Sequence, residues 1–154
     1  MAAPYSDTAS KLEAAMKAVV DALTLLDSAD AAVPCFTSLD DDANQTPCVT
    51  GRADGSGEEI FHTGNDKFTL SIKVWSRVGG DKGETLAQPR ARVAKVFDAF
   101  KGDDLAATLT ATPGIDDFYV EDTWVSGGNS TTSTNCLVNE LLLECIALAT
   151  DITA

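Results

Sequence analysis

The sequence predicts an α+β fold: a single small domain with a mixed or antiparallel β-sheet and two α-helices packed on one face. Segment 67–77 is the clearest element, because apolar side chains alternate with polar ones, as in a strand with one buried face. Segments 6–27 and 85–101 each carry one apolar stripe at helical spacing. The apolar side chains of the strand are Phe68, Leu70, Ile72 and Val74.

The first helix is predicted over residues 6–27. Ser10 and Glu13 match a capping box, although Ser6 or Asp7 would start the helix one turn earlier. Its stripe recurs at spacings of four and three residues and consists of Leu12, Met16, Val19, Leu23 and Leu26.

The second helix is predicted over residues 85–101. Pro89 is tolerated only near a helix start, so the regular part should begin between Thr85 and Gln88. Gly102 is a suitable C-terminal stop. Its apolar face consists of Leu86, Val93, Val96, Phe97 and Phe100.

The remaining segments are assigned from residue type and alternation. Segment 137–149 alternates like a strand but has helix-favouring residues, and we interpret it as a strand because it would pair with 118–125 as a hairpin. The polar stretches 38–59 and 126–134 are predicted to be loops, mobile until neighbours order them. The other predictions are short strands at 33–37, 47–51 and 60–63, and extended chain at 105–112.

Length and charge limit the class of protein. The chain has 154 residues and is expected to form one domain, residues 1–154. Its net charge is −13, distributed as −9 over residues 1–66, +5 over 67–101 and −9 over 102–154. The isoelectric point near 4.2 argues against a surface that grips nucleic acid, which would need clustered Lys and Arg.

No pattern in the sequence specifies catalysis or a cofactor. The sequence contains one histidine, His62, and no Ser-His-Asp or Cys-His arrangement can be identified that would include it. The acidic run at Asp40 begins like a calcium loop, but Gln45 replaces the turn glycine and Gly51 replaces the bidentate glutamate. The glycine-rich loop 79–83 lacks the Gly-Lys-Ser/Thr ending of a phosphate loop. We therefore expect no enzyme activity, no metal and no cofactor.

The N-terminus has no apparent signal peptide, and the longest apolar run is too short to cross a membrane. We therefore expect no membrane association, folding in a cytoplasm, and cysteines that stay reduced, because none forms a Cys-x-x-Cys pair. Buried thiols are favoured over a zinc site, and a Cys35–Cys48 disulfide is an unsupported alternative. The cysteines are Cys35, Cys48, Cys136 and Cys145.

The order of elements resembles the tail-terminator (tail-completion) family of tailed bacteriophages. The most similar portion is strand 67–77, loop 79–83 and helix 86–100, and the long polar regions 38–66 and 126–134 depart from it. The resemblance implies a structural virion protein that forms a ring, a hexamer in that family, at the head–tail junction after assembly in the host cytoplasm. It implies as partners further copies of the chain, the tail-tube protein and the head connector, with DNA passing through the lumen without specific binding.

The charge pattern suggests where such subunits would meet. A basic centre and acidic ends give one chain two unlike patches, which a head-to-tail ring requires. Trp75 lies on the polar side of its strand, where it indicates either a contact surface or a second buried face. The candidate interface consists of Arg77, Arg90, Arg92 and Lys95 against Glu121 and Asp122, with Trp75.

Other functions are compatible with the same sequence. The chain could be another neck or virion component: a head-completion or connector protein, a tail-tube subunit, or a decoration protein. Two clear helices count against a tube subunit. An acidic DNA-mimic binding module or a small enzyme is less favoured.

Overall fold

The computed structural model of the protein describes residues 4–27, 29–37, 47–60, 65–77, 87–101, 105–111, 118–133 and 136–149. Within these ranges the chain forms three helices and five strands. The helices are α1 (Pro4–Ala22), α2 (Ala87–Ala99) and α3 (Leu105–Thr110), and the strands are β1 (Cys35–Thr37), β2 (Cys48–Ile60), β3 (Asn65–Arg77), β4 (Phe118–Ser133) and β5 (Cys136–Ala149).

The strands form one mixed sheet in the order β1-β2-β3-β5-β4. The short β1 runs parallel to β2, and every other pair is antiparallel. β3 is the central strand, and in its register Leu70 stands beside Ala53 of β2 and Leu143 of β5. The predicted α+β class is therefore confirmed.

One face of the sheet carries the hydrophobic core. The side chains that alternate inward from β3 are almost fully buried, as the period of two predicts. All three helices contribute to the same core, for example through Leu12, Val96 and Leu109. The opposite face of the sheet, called the open face below, presents half-buried and exposed side chains.

The two predicted polar loops are wrong where the structure describes them. Residues 52–59 belong to β2, which pairs with β3 as far as Ile60. Residues 126–133 continue β4, which pairs with β5 as far as Ser133. Glycine and polar residues are poor strand formers, but each stretch lies beside a well-patterned strand whose backbone groups need partners. Residues 38–46 and 134 lie outside the described residues, as does most of the short strand predicted at 60–63.

Two other boundaries differ from the predictions. Residues 105–110 form helix α3 rather than extended chain, because Leu105 and Leu109 are buried together while Ala107 is exposed. Helix α1 ends at Ala22 rather than at residue 27, and Thr24 follows with a φ of 49°. The strand interpretation of 137–149 is confirmed by β5, and α2 is helical from Ala87, within the predicted interval.

Candidate assembly surfaces

An outer cluster on the open face joins three strands around Trp124. The indole Nε1 of Trp124 donates a hydrogen bond to Oε2 of Glu144 at 3.0 Å. The ammonium of Lys67 lies 3.7 Å from Oε1 of the same carboxylate and 5.6 Å from the centre of the Trp124 ring. The three side chains therefore combine a hydrogen bond, an ion pair and a cation–π contact.

An inner cluster repeats this arrangement around Trp75. Its Nε1 donates to Oγ1 of Thr50 at 2.9 Å, and Lys73 lies 5.9 Å from the ring centre. Glu140 accepts from Oγ of Ser71 at 2.7 Å and lies 3.9 Å from the Lys73 ammonium. Trp75 is half-buried beside a concavity of about 590 Å³. The lysines of the open face thus face carboxylates of their own subunit, and the face is not a cationic patch.

The predicted basic residues fall into two groups. Arg77 is exposed at the end of β3, and Arg90 and Lys95 are exposed on α2. Arg92, by contrast, is only 5% exposed. Its guanidinium donates to the Ser76 hydroxyl and to the Leu26 carbonyl, both at 3.3 Å. Arg92 is therefore an internal tie between α2, β3 and the chain after α1, and its assignment to a subunit interface is corrected on that ground.

The predicted acidic residues lie on the outermost strand. Asp122 is exposed on β4, and its carboxylate accepts a hydrogen bond from the backbone N–H of Thr123 at 2.9 Å. Glu121 occupies the bulge between Val120 and Asp122. Helix α2 packs on β3 and α1 instead. A contact between these acids and the bases of α2 remains a prediction about neighbouring subunits.

The sequence reasoning missed the two exposed apolar features. Leu26 is 50% exposed, and Trp124 and Val125 are 37% and 46% exposed. Leu26 was assigned to the buried stripe of α1, but α1 stops one turn earlier. Trp124 and Val125 end the segment predicted as a strand, and their exposure depends on β4 being the edge of the sheet.

The chain after α1 holds Leu26 in a small projecting loop. Leu26 bridges to Ala32, and the carboxylate of Asp27 accepts hydrogen bonds from the backbone of Ala29 and Ala31 at 2.8 and 2.9 Å. The helix has already ended before this turn, because Leu23 and Thr24 donate to the carbonyls three residues earlier, of Val20 and Asp21, and Thr24 has a positive φ. Residues 23–27, which lead into this turn, were part of the predicted first helix.

Two grooves flank Leu26. One, of about 270 Å³, lies between the loop and α2, where Gln88, Ala91 and Lys95 line it. The other, of about 420 Å³, lies between the end of α1 and β1 and is called the Leu26 groove. Its lining is mainly apolar and includes Val20, Leu25, Leu26, Val33, Pro34 and Phe36.

The described residues offer little to covalent chemistry. Three of the four free cysteines are buried, and Cys136 is partly exposed. Burial raises the pKa of Cys145 to about 11, while a hydrogen bond with Thr123 opposes that rise. Among the described residues no group of His, Cys, Asp and Glu is placed to hold a metal ion. In the same part of the chain, no helix is long and apolar enough to cross a membrane.

No model of a known protein family matches this chain. No curated protein matches it either. Among solved structures, the fold is similar to a chain of the "virion of native gene transfer agent (GTA) particle". The similarity has a TM-score of 0.56 at 16% sequence identity, and it covers 89% of this chain and 97% of the virion chain. At that identity the similarity shows a shared fold.

Proposed function

We propose that this chain is a structural protein of a phage-like virion. More specifically, it is a ring-forming tail terminator that caps the tail tube and joins the tail to the head connector. The observation that carries the proposal is the correspondence with a virion chain over 97% of that chain's length. Nearly the whole of that virion chain, rather than one shared motif, corresponds to this fold.

The distribution of surfaces supports assembly. The chain presents exposed bases on α2, which packs on β3 and α1, and an exposed acid on β4, which packs on β5 and α3. Two unlike patches on one subunit suit a heterologous contact, which closes into a ring when the rotation between subunits allows it. The net charge of −13 suits a lumen through which DNA passes, because an acidic wall repels phosphate.

The purified full-length chain provides the direct test. Native mass spectrometry and negative-stain electron microscopy should find closed rings, six subunits by analogy with the tail-terminator family. These rings should bind one end of isolated tail tubes. If the chain stays monomeric at all concentrations and does not bind tail tubes, the proposal is contradicted. A ring that binds DNA-filled heads but not tail tubes would favour a head-completion or connector protein instead.

A further inference from the structure

The far end of β4 is an open edge of the sheet. β4 ends the strand order, so among the described residues no strand lies beyond it. Residues 127–133, called the open edge below, pair with β5 without a register shift, and Gly128, Asn129 and Ser130 are exposed. The open edge has the sequence Gly-Gly-Asn-Ser-Thr-Thr-Ser, which contains no charged residue and no proline.

The first half of β4 is protected against pairing with another chain. The backbone N–H of Val120 donates to the hydroxyl of Thr110 at 2.8 Å, so helix α3 covers the edge at this point. A register shift follows between Val120 and Asp122, and the charged side chain of Asp122 is exposed. Covering elements, bulges and charges are the features by which proteins keep a sheet edge from pairing.

The opposite edge of the sheet is protected in the same ways. β1 pairs with β2 as far as Gly51, and the next outward N–H, of Ala53, donates to the carboxylate of Glu13 at 2.8 Å. Beyond this point β2 shifts register twice relative to β3 before it ends at Ile60. Within the described part of the chain, the open edge of β4 is therefore the stretch that none of these features protects.

We infer that two copies of this chain pair through their open edges, antiparallel, and so join their two five-stranded sheets into one. The outward N–H and C=O groups of each strand then bond to the other strand instead of to water. Because the described part of each copy offers one such edge, the contact joins identical surfaces around a two-fold axis. It brings no like charges together, since the nearest acid, Asp122, lies five residues before the open edge and beyond the end of the partner's strand.

This contact goes beyond the proposed ring and does not depend on it. The contacts within a ring are head to tail, whereas a two-fold contact joins two copies, or two rings, through the same residues of each. In an antiparallel pair, side chains that stand directly opposite lie on one face, with Cβ atoms about 4.5–5.5 Å apart. Two-fold symmetry then requires one residue of the open edge to stand opposite its own copy, which a head-to-tail contact does not allow.

The test introduces one cysteine at a time near the middle of the open edge of the full chain, as Asn129→Cys, Ser130→Cys and Thr131→Cys. Asp122→Cys, an exposed position of the same strand outside the open edge, is the control. The unmodified chain, treated with the same mild oxidant, measures the background from its own cysteines, of which Cys136 is partly exposed. Non-reducing electrophoresis and mass spectrometry of the linked peptides identify the cysteines that have joined.

A second pair of variants tests the contact without a cross-link. Asn129→Lys adds a charge to the open edge, and Ala107→Lys adds the same charge on the exposed side of α3. Circular dichroism and thermal melting establish that both remain folded, and analytical ultracentrifugation measures self-association. Asn129→Lys should raise the dissociation constant of the pair by roughly tenfold or more, because a lysine on a sheet edge opposes pairing and here brings two like charges close together. Ala107→Lys should leave it unchanged.

Among the cysteine variants, at least one at the open edge should form a disulfide between the same residue of two copies, and Asp122→Cys should form none. Oligomers that form without any such self-link would overturn this contact and leave the proposed function standing. A link from the open edge to the tail-tube protein, with none to itself, would assign the edge to that partner and overturn the pairing of copies. An unmodified chain that is monomeric at all concentrations would contradict both this contact and the ring.

Discussion

The side chain of Glu13 accepts a hydrogen bond from β2 just beyond the point at which the pairing of β1 with β2 ends. The N–H of Val49 donates to Pro34 at 2.9 Å, so alternate N–H groups of β2 point towards β1. The pairing of β1 ends at Thr37 and Gly51, and the next such N–H, of Ala53, donates to the Glu13 carboxylate at 2.8 Å. Glu13 is 2% exposed and Ala53 8%, so water cannot replace this bond easily.

Glu13→Ala should therefore destabilise the fold by about 2–3 kcal/mol, the usual cost of a buried hydrogen bond to a charged group. For a domain of this size, that lowers the melting temperature by roughly 5–10 °C. Glu13→Gln keeps an acceptor oxygen and should lose only about 1 kcal/mol. Asp21→Ala removes an exposed ion pair of the same helix and should cost about 0.5 kcal/mol or less.

Urea unfolding of the four proteins at neutral pH, followed by circular dichroism, measures these differences. The order of stability should be unmodified chain, Asp21→Ala, Glu13→Gln and then Glu13→Ala. If the Gln variant is as unstable as the Ala variant, an acceptor oxygen is not what position 13 supplies. If Glu13→Ala loses no more than Asp21→Ala, the edge of β2 does not depend on this carboxylate.

Three further predictions follow from packing and burial. Leu70→Asp places a carboxylate where the side chain is fully buried, and it should cost several kcal/mol in urea unfolding; an unchanged melting temperature would refute the core assignment. Gly128→Ala should cost about 1–3 kcal/mol more than Gly127→Ala, because a Cβ at residue 128 meets the Glu140 carbonyl at 2.8 Å whereas one at 127 has room; equal stabilities would contradict the register of β4. Burial raises the pKa of Cys145 from 9.0 to about 11, so the stability it contributes is full below pH 9 and is lost as pH rises towards 11. Cys145→Ala should show a shallower alkaline loss of stability, and an identical profile would contradict this.

The sequence predicts best those elements whose hydrophobic periodicity indicates a helix or a strand without any information about tertiary contacts. The alternation of β3 and the helical stripe of α1 both lead to residues that are buried as expected, such as Ile72 and Met16. The α3 segment is ambiguous in sequence, because Leu105 and Leu109 fit either period. The structure resolves the ambiguity, because Ala111 donates to the carbonyl of Ala107 as in a helix and the side chain of Ala107 is exposed.

The second half of β2 and that of β4 could not be predicted, because their strand structure comes from their neighbours. Residues 52–59 and 126–133 are rich in glycine and polar side chains, which locally favour turns. They pair with β3 and β5, whose residues are strongly patterned. Tertiary context thus overrides weak local propensity.

The candidate assembly surface was predictable only in part. Arg77, Arg90, Lys95 and Asp122 of the predicted interface are exposed, as a subunit contact requires, and their role in such a contact stays a prediction. Arg92 is an arginine of the same helix as Arg90, but it is buried, because its position on α2 places its side chain against Ser76. The exposure of Leu26 depends on where α1 ends, and the stripe of apolar residues gives no signal of that end.

Purified phage-like particles would show directly whether this chain is a structural component at the end of the tail. Gold-labelled antibodies against the chain, viewed by electron microscopy, would locate it, and quantitative mass spectrometry would count its copies. A tail-terminator ring should give a single label at the head–tail junction of each particle and a copy number equal to one ring, six by analogy with the tail-terminator family. Absence of the chain from particles that are otherwise complete would contradict a structural role in the virion.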